Sequence, residues 1–331
     1  MADLRDEVID ALDYWTPLTL RLCADAGVIE ALGRDERSVA DVAADLGLHA
    51  ETLGRMVRLL AGRGVFEGCG GDRFRLGRVG RLLLADEPGN LAGLLNFPPW
   101  YFHAWAEARH TLRTGEPAFE QHYGQDMFGW LAAHPAAASA FNDDMRRRTS
   151  TLLDGALALY DWPATGTVVD VGGGTGQLLS GVLARRPSLR GIVLDLPHVA
   201  AAAEQALARA GLAERATAVA GSFFEPLPAE HELYVLASIL HDRDDDRSLE
   251  ILRRCRAAMR ADARLVLFEF VVGSGDGRDL AKQYDLHMLV VLGGRERTQA
   301  EWDALLAAAG LMLVRTIATP SQMRWIEAVP H

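Results

Sequence analysis

The sequence has little of three features that would place it in other classes of protein. Its cysteines number only three, Cys23, Cys69 and Cys255, and they lie far apart. This spacing excludes a disulfide framework and a cysteine-based metal site, and it favours buried apolar thiols. No apolar run approaches the roughly 20 residues that cross a membrane, and the first residues lack the apolar core of a signal peptide. We therefore expect a cytoplasmic protein with no membrane partner.

Positive charge is also scarce, and lysine is nearly absent. The 331 residues carry a formal net charge of -11, and Lys282 is the only lysine, so arginine supplies almost all the positive charge. An acidic chain repels polyanions, which disfavours nucleic acid as a substrate or partner. With 49% hydrophobic and 24% charged residues, the composition is typical of a globular protein that is long enough for two domains.

What the sequence does have is a glycine turn, around which the rest of the chain is organised. An apolar run, Val168–Val171, leads into glycines at 172, 174 and 176, and an apolar segment at helical spacing follows. Glycine is needed where the backbone takes positive φ or where a ligand approaches the main chain closely. The third glycine comes one residue too early for a dinucleotide fingerprint. The motif favours S-adenosylmethionine (SAM) over NAD, with an ordinary tight strand-to-helix turn as the alternative.

Beyond the glycine turn, predicted strands and helices alternate regularly. The next strand ends at Asp195, whose carboxylate is placed to accept hydrogen bonds from both ribose hydroxyls of a bound cofactor. The alternation predicts an α/β fold with a doubly wound sheet, ligands at the carboxyl ends of the strands, and an antiparallel pair at one edge. The predicted strands after the turn cover residues 191–194, 217–220, 233–238, 264–269, 313–317 and 324–328.

The first hundred residues follow a different pattern. Ser38 is a predicted N-cap for a helix over 39–46, and a second helix over 50–61 is followed by a β-hairpin at 64–67 and 73–76. Together these elements form a winged helix, which serves in dimerisation or in DNA recognition. Salt-dependent binding of duplex DNA would support the DNA alternative. That alternative depends on arginines at 55, 58, 63, 73, 75, 78 and 81.

Residues 100–160 have a helical pattern, with predicted stops at Gly115 and His134. Near its end lie Met145 and the arginine run 146–148. We interpret the arginine run as a solvated helix face. Met145 fits either the core or a pocket for a flat ligand, because thioethers pack well on aromatic faces.

Three acid or base candidates follow predicted strand ends. His241 lies beyond a buried strand, two strands from the glycine turn; the next strand ends at Glu269, and Glu296 lies in a glycine-rich loop. Because strand tips converge on one crevice in an open parallel sheet, these side chains can meet. Histidine takes a proton near neutral pH, and glutamates beside it fix its tautomer. The alternatives are a helix-entry histidine before the acidic run 244–246 and exposed strand-end glutamates.

Several ordered motifs together resemble a known family. They are Asp-Val-Gly-Gly-Gly-Thr-Gly at 170–176, Asp195-Leu-Pro-His-Val, Gly221-Ser-Phe-Phe, Leu240-His-Asp and Gly-Gly-Arg-Glu-Arg-Thr at 293–298. This combination is similar to the SAM-dependent O-methyltransferases of the plant caffeate and flavonoid type, whose bacterial relatives act on polyketides and other natural products. The resemblance implies a mainly α winged-helix dimerisation domain over 1–100, which forms a homodimer. It implies a helical connector plus a Rossmann-like SAM methyltransferase domain over 101–331.

The resemblance also implies a role for each matching residue. In that family the base at the position of His241 deprotonates an acceptor hydroxyl, with Glu269 and Glu296 flanking it, and no metal takes part. The methyl group passes in line from SAM to a phenolic oxygen of an aromatic or polyketide acceptor, leaving S-adenosylhomocysteine. The acceptor would touch Met145, Asp242 and Met288. The cofactor-binding set is Asp170, Gly172, Gly173 and Gly174 for the methionine part, Asp195 for the ribose, Ser222 and Phe223 for the adenine, with Leu196 and Ser238 completing it.

Two departures from the family pattern bear on the cofactor. Ser222 stands where the family often has aspartate, so a hydroxyl replaces a carboxylate at the adenine amino group. Ala237 stands where plant members carry lysine, which removes one cofactor contact.

One alternative reaction stays open, because some bacterial members bind SAM without transferring its methyl group and support hydroxylation or decarboxylation instead.

Overall fold

The computed structural model describes residues 4–95, 98–153 and 155–331. These residues fall into two compact units, one ending at residue 95 and the other beginning at Pro98. Among the described residues, no helix combines the length and the apolarity that crossing a membrane requires.

The first unit is a winged helix, as the sequence predicts. Ser38 Oγ accepts a hydrogen bond of 3.0 Å from the backbone N–H of Asp41, which caps the helix that follows. Arg37–Ser38 forms a short strand that the sequence did not indicate, and it pairs antiparallel with the second strand of the hairpin. The elements are α1 Leu4–Leu12, α2 Trp15–Asp25, α3 Val28–Leu32, β1 Arg37–Ser38, α4 Val39–Leu46, α5 Ala50–Ala61, β2 Phe66–Gly70, β3 Arg73–Leu76 and α6 Arg78–Arg81, followed by a short 3₁₀ turn at Ala92–Leu94.

Arginines of the winged helix are largely paired with carboxylates of the same unit. Arg63 binds both Asp10 at 2.7 Å and Asp13 at 2.8 Å. Arg75 binds Glu67 at 2.9 Å across the hairpin, and Arg73 pairs with a glutamate just before β1. A surface that reads DNA needs cations available to phosphates. These ion pairs make three of the seven arginines on which the DNA-binding alternative depends less available to phosphates.

The second unit begins with five connector helices, whose stops at Gly115 and His134 are confirmed. The prediction of helix as far as residue 160 was wrong for residues 155–160, and residue 154 lies outside the described residues. Residues 155–160 form turns, because Gly155 takes a left-handed φ of 69° while Leu157 and Tyr160 still bury their side chains. The connector helices are α7 Pro99–Ala106, α8 Arg109–Thr114, α9 Ala118–Tyr123, α10 Met127–Ala133 and α11 Pro135–Leu153.

The rest of the second unit is the doubly wound sheet that the alternation predicts. Five strands run parallel in the order β8-β7-β4-β5-β6, and β10 and β11 form the expected antiparallel edge pair beside β8. The strands are β4 Gly166–Val171, β5 Leu189–Asp195, β6 Ala216–Ala220, β7 Leu233–Ala237, β8 Arg264–Val272, β9 Arg297–Thr298, β10 Leu311–Ala318 and β11 Met323–Pro330. The helices are α12 Gln177–Arg185, α13 Pro197–Arg209, α14 Asp245–Ala258, α15 Leu280–Leu292 and α16 Gln299–Ala308.

Two positional predictions are corrected by the topology. His241 follows β7, which pairs directly with β4, so it lies one strand from the glycine turn in space although two intervene in the chain. Glu269 does not end its strand, because β8 continues to Val272 between β11 and the short β9. β7 stops at Ala237, and Glu269 lies beside the gap that this leaves. The histidine is therefore closer to the glycine turn than the sequence indicated.

Candidate active site

The glycine turn leaves bare backbone facing open space. Gly172 and Gly174 take positive φ angles of 71° and 57°. A Cβ on Gly172 would lie 2.6 Å from Ile239 Cδ1, and one on Gly173 would lie 2.5 Å from the carboxyl carbon of Asp170. A Cβ on Gly174, by contrast, would have no atom of the described residues within 4 Å, apart from its chain neighbours. The turn therefore has no room for side chains behind it, while a ligand can reach its backbone from the front.

Two acids lie beneath and beside this turn. Asp170 is 1% exposed, and its Oδ2 has no hydrogen-bond partner among the described residues. Burial, together with the charge of Asp195, raises the pKa of Asp170 to about 7. Asp195 Oδ2 accepts a bond of 2.8 Å from the N–H of Gly174, and its Oδ1 accepts one of 2.7 Å from Leu196. Burial also raises the pKa of Asp195, although these two hydrogen bonds act to lower it. Acceptors at a bare turn fit the ammonium and ribose hydroxyls of SAM.

The neighbouring strand ends carry Ser222, Phe223 and Ser238. Phe223 Cδ1 comes within 3.5 Å of the place that a Cβ on Gly172 would take, so its ring lies beside the glycine turn. Ser222 Oγ accepts a hydrogen bond of 3.2 Å from the N–H of Phe224. Ser238 has a positive φ of 56°, a strained conformation for a residue with a side chain. The predicted cofactor residues thus meet at the carboxyl ends of β4 to β7.

His241 lies on a short 3₁₀ turn, Leu240–Asp242, directly after β7. Its Nδ1 is 2.8 Å from Glu296 Oε1 and 3.8 Å from Glu269 Oε2. Its Nε2 is 3.4 Å from Asp242 Oδ1. Because a carboxylate only accepts, Nδ1 carries the hydrogen in this bond, and Nε2 of the neutral ring is the basic atom. The three predicted catalytic residues are therefore brought together.

The acids around His241 determine its charge. Burial alone lowers the pKa of the imidazole, but the charges of Glu296, Glu269 and Asp242 outweigh it and raise the pKa to about 10. Burial raises the pKa of Glu269 to about 7, against the charge of His241. Burial likewise raises the pKa of Asp242. Three acids share one histidine, so the cluster favours positive charge in its neighbourhood.

The structure rejects both alternative interpretations of these residues. Glu269 and Glu296 are 0% and 2% exposed, so neither is an exposed strand-end glutamate. Glu269 Oε1 instead accepts bonds of 3.0 Å from the N–H groups of Ile239 and Leu240, which fixes the backbone before the histidine. Helix α14 is capped by Asp244, whose Oδ1 accepts from Arg247 N, so His241 is not its entry residue.

The same three side chains could also hold a metal ion by distance alone. One ligand atom each from His241, Glu269 and Glu296 lies within 4.8 Å of the others. The hydrogen bond between Nδ1 and Glu296 already uses the ring nitrogen that such an ion would need. Absence of a metal stays a prediction.

Sequence reasoning missed Arg297, which holds the turn that carries His241. This arginine is fully buried, and it donates bonds of 3.1 Å to the carbonyl oxygens of Leu240 and Arg243 on either side of the turn. It also donates to Ser248 Oγ at 3.0 Å. The loop packs tightly here, since a Cβ on Gly294 would lie 2.1 Å from the carbonyl oxygen of His241. The paired glycines of this loop were the available signal for such a close approach.

The predicted acceptor residues lie on two helices near this cluster. Met288 is 6% exposed on α15, and Met145 is half-buried on α11. On α15, Asp285 Oδ1 accepts a hydrogen bond of 2.9 Å from the N–H of Glu296, which ties the helix to the catalytic loop. Asp242 follows His241 directly. Of the predicted acceptor residues, Met145 is therefore carried by the connector and Met288 by α15.

Two family models match the chain. The model of the O-methyltransferase domain matches residues 105–312, and that of the O-methyltransferase dimerisation domain matches residues 9–86. The first covers the glycine turn and the histidine cluster, and the second covers the winged helix. The matches therefore agree with the division of the molecule into a catalytic and a dimerisation part.

Known relatives extend over nearly the whole chain. The phenazine O-methyltransferase PhzM of Lysobacter antibioticus is 38% identical over 319 residues, covering 96% of this chain and 93% of its own. The O-demethylpuromycin-O-methyltransferase of Streptomyces alboniger is 39% identical over 326 residues, covering 96% and 86%.

A solved relative carries both kinds of ligand. The crystal structure of the O-methyltransferase NcsB1 from neocarzinostatin biosynthesis, in complex with SAM and 2-hydroxy-5-methyl naphthoic acid, has a TM-score of 0.80 and 35% identity and covers 96% of this chain and 97% of that chain. With the sheet, the glycine turn and the two family matches, this similarity identifies the chain: it belongs to the SAM-dependent O-methyltransferase family and carries that family's dimerisation domain.

Proposed function

We propose that the protein transfers a methyl group from SAM to a phenolic hydroxyl of an aromatic or polyketide natural product, with His241 as the general base. The observation that carries this is the partly buried hydrogen bond of 2.8 Å between His241 Nδ1 and Glu296, one strand from the glycine turn. It orients a basic nitrogen beside a turn that fits the cofactor. An aromatic acceptor is supported by relatives named for phenazine, puromycin and naphthoic acid.

The cofactor would be held mainly by backbone and two acids. Bound SAM supplies a methyl group already activated on a sulfonium sulfur. Gly172 to Gly174 leave room for its methionine part. Asp170, beneath the turn, would accept a hydrogen bond from the ammonium group of that part. Asp195 and Leu196 lie where the ribose would be, and the ring of Phe223, with Ser222 and Ser238, borders the place for the adenine.

The residues on the acceptor side would take the proton of the acceptor hydroxyl and orient its oxygen. Nε2 of His241 accepts the proton of the hydroxyl as that oxygen attacks, while Glu296 stabilises the imidazolium that forms. In the ligand-free chain the surrounding acids raise the pKa of His241 to about 10, which keeps the ring protonated at neutral pH. The positive charge of a cofactor held at the glycine turn would lower the pKa of His241, and the neutral form of the imidazole would then predominate. Asp242, Met145 and Met288 would line the acceptor.

The winged helix would hold two copies of the chain together. Helix α1 leaves its apolar side chains in solvent, with Leu4, Val8, Ile9 and Leu12 between 59% and 76% exposed. An apolar helix face of this kind is typical of a surface that a partner covers. We assign residues 1–100 to the dimerisation domain and 101–331 to the connector plus catalytic domain, in support of which the compact units divide near residue 97. A cytoplasmic location stays a prediction.

A labelling experiment tests the reaction. Wild-type protein and His241→Ala are incubated with methyl-labelled SAM and a panel of phenolic and polyketide acceptors. Label in an acceptor oxygen with the wild type, and its loss with the variant, supports methyl transfer. Hydroxylated or decarboxylated product without label would instead identify the alternative activity, and label on an acceptor nitrogen would correct the acceptor class.

A further inference from the structure

One arginine of the connector differs from its two neighbours. Arg146 and Arg147 of helix α11 are about half exposed, and each pairs with an aspartate one turn earlier, so the prediction of a solvated face is confirmed for them. For Arg148 it is wrong. Its guanidinium stacks over the ring of Tyr284 at 4.4 Å, and its Nη2 atom is buried without a hydrogen-bond partner among the described residues.

Arg148 lies on the acceptor side of the catalytic cluster. It follows Met145 by three residues, which places both on one face of α11. The charges of Glu296 and Asp242 act on Arg148. Burial, together with the charges of Arg148 and His241, lowers the pKa of His287 to about 3. Two cationic side chains therefore act on the same buried histidine of α15.

No carboxylate of the described residues gives this guanidinium its missing hydrogen bond. Glu296 is bonded to His241, and Asp144 is bonded through Oδ1 to Arg147. Burial lowers the pKa of Arg148, against the attraction of the acids around it. A buried cation with an unmade hydrogen bond is costly. A ligand that supplies an anion would remove that cost.

The shape of the Arg148 guanidinium indicates which anion it would bind. A guanidinium presents its N–H donors in one plane, a fork that matches a carboxylate through two parallel hydrogen bonds. Stacking on Tyr284, whose ring is itself stacked on Phe270 at 5.0 Å between centroids, fixes that plane. Near it, burial raises the pKa of Tyr101, so its phenol remains a donor at neutral pH.

We propose that Arg148 binds a carboxylate of the acceptor, so that the preferred substrates are hydroxylated aromatic acids rather than neutral phenols. The inference rests on the proposed methyl transfer and specifies its substrate class. The carboxylate binds Nη2 of Arg148 while the hydroxyl of the same molecule lies at His241 Nε2. Arg148 is thus a residue that determines specificity and takes no proton.

The test compares acids with their own primary amides. The pairs are 2-hydroxybenzoic acid, 4-hydroxybenzoic acid and 1-hydroxy-2-naphthoic acid, each with its carboxamide, and the quantity is the ratio of kcat/KM for acid over amide. For at least one pair we expect the wild type to favour the acid by about 100-fold, and Arg148→Met to reduce that ratio to near one. Arg148→Lys, which keeps the charge without the fork, should retain an intermediate ratio.

Arg147→Met is the matched control, because it removes the adjacent exposed arginine, and its ratio should equal that of the wild type. Binding of the same acids to the complex with S-adenosylhomocysteine, measured by calorimetry, gives a second readout that needs no turnover. A wild-type ratio near one in all pairs would overturn the proposal, as would equal losses for acid and amide in Arg148→Met. If the wild type methylates no member of the panel or of the wider phenol panel, the proposed function itself fails, which is a different result.

Discussion

The carboxyl edge of the sheet has two halves that are built in different ways. The centre of the cofactor half is local in the chain, since Asp170 and the glycine turn are followed closely by Asp195, while Ser222, Phe223 and Ser238 come from later strand ends. The acceptor half is assembled from the end of β7, the middle of β8, the loop before β9, and helices α11 and α15. A motif that is local can be recognised from sequence, whereas a site assembled by topology needs the fold.

The two halves also differ in how they hold charge. The cofactor half contains two acids and bare backbone, with Asp170 Oδ2 unpartnered in the described residues. The acceptor half balances acids against bases, because His241 is surrounded by three carboxyl groups and Arg148 lies nearby. Loss of one charge should therefore affect cofactor binding in the first half and turnover in the second.

Glu296→Gln should have the largest effect of the substitutions that separate the halves. The amide keeps the shape of the side chain but removes the charge that stabilises the imidazolium, so we expect kcat to fall by about 10²- to 10³-fold. The dissociation constant of SAM should not change, because Glu296 belongs to the acceptor half. Steady-state kinetics with calorimetry measures both. Glu250→Gln, on the surface of α14, is the control, and a fall that came only from SAM binding would contradict the distinction.

Asp170→Asn tests the buried acid of the cofactor half through the pH dependence of stability. The pKa of this group is raised from 3.8 to about 7 in the folded chain. Its contribution to stability is therefore full below about pH 4 and is lost as the pH rises through 7. Between pH 4 and 8 the wild type should lose roughly 2–4 kcal/mol more of its free energy of unfolding than the variant does.

Urea unfolding of the ligand-free proteins across this pH range measures that difference. Asp161→Asn is the matched control, because the side chain of Asp161 is 85% exposed. Equal pH dependence in the wild type and Asp170→Asn would show that the buried carboxyl group is not the source.

Gly173→Ala tests the space behind the glycine turn. Its Cβ would lie 2.5 Å from the carboxyl carbon of Asp170, so the turn must shift. We expect a loss of about 1–3 kcal/mol in the free energy of unfolding, and a several-fold weaker binding of SAM. Thermal unfolding and calorimetry measure the two effects. Gly275→Ala, in an open loop where nothing lies within 4 Å, should change neither. Unaltered SAM affinity in Gly173→Ala would contradict a backbone-held cofactor.

Ser222→Asp should produce the smallest effect, and in the opposite direction. The hydroxyl of Ser222 already accepts from the N–H of Phe224. A carboxylate can keep that bond and accept a second one from the adenine amino group, so SAM should bind about 3- to 10-fold more tightly. Calorimetry measures this, with Ser222→Asn as the uncharged comparison. Weaker binding in Ser222→Asp would place the adenine elsewhere.

The difference between local patterns and structure assembled by topology also decided how much of the fold could be predicted from the sequence. The winged helix, the alternating sheet and its antiparallel edge pair were predictable, because their apolar periodicity and caps are local. Short strands such as β1 and β9 were missed, since each contains only two residues. Gly155 ended the connector helix where apolar spacing alone predicted its continuation.

In the site, the convergence of His241, Glu269 and Glu296 was predictable from the strand tips, but their position relative to the glycine turn was not. Chain order placed His241 two strands from the glycine turn, whereas strand order places it next to it. Arg148 was indistinguishable in sequence from its two exposed neighbours, because only packing against Tyr284 separates it from them. Arg297 gave no signal beyond a conventional surface charge, although it is fully buried.

The central claim is that both halves form one methyl-transfer site with His241 as its base. The most direct measurement is a single-turnover assay of His241→Ala with methyl-labelled SAM already bound, using an acceptor that the wild type methylates. We expect the rate of label transfer to fall by about 10²- to 10⁴-fold while the dissociation constant of SAM stays within about twofold. Transfer at the wild-type rate by the variant would contradict the account.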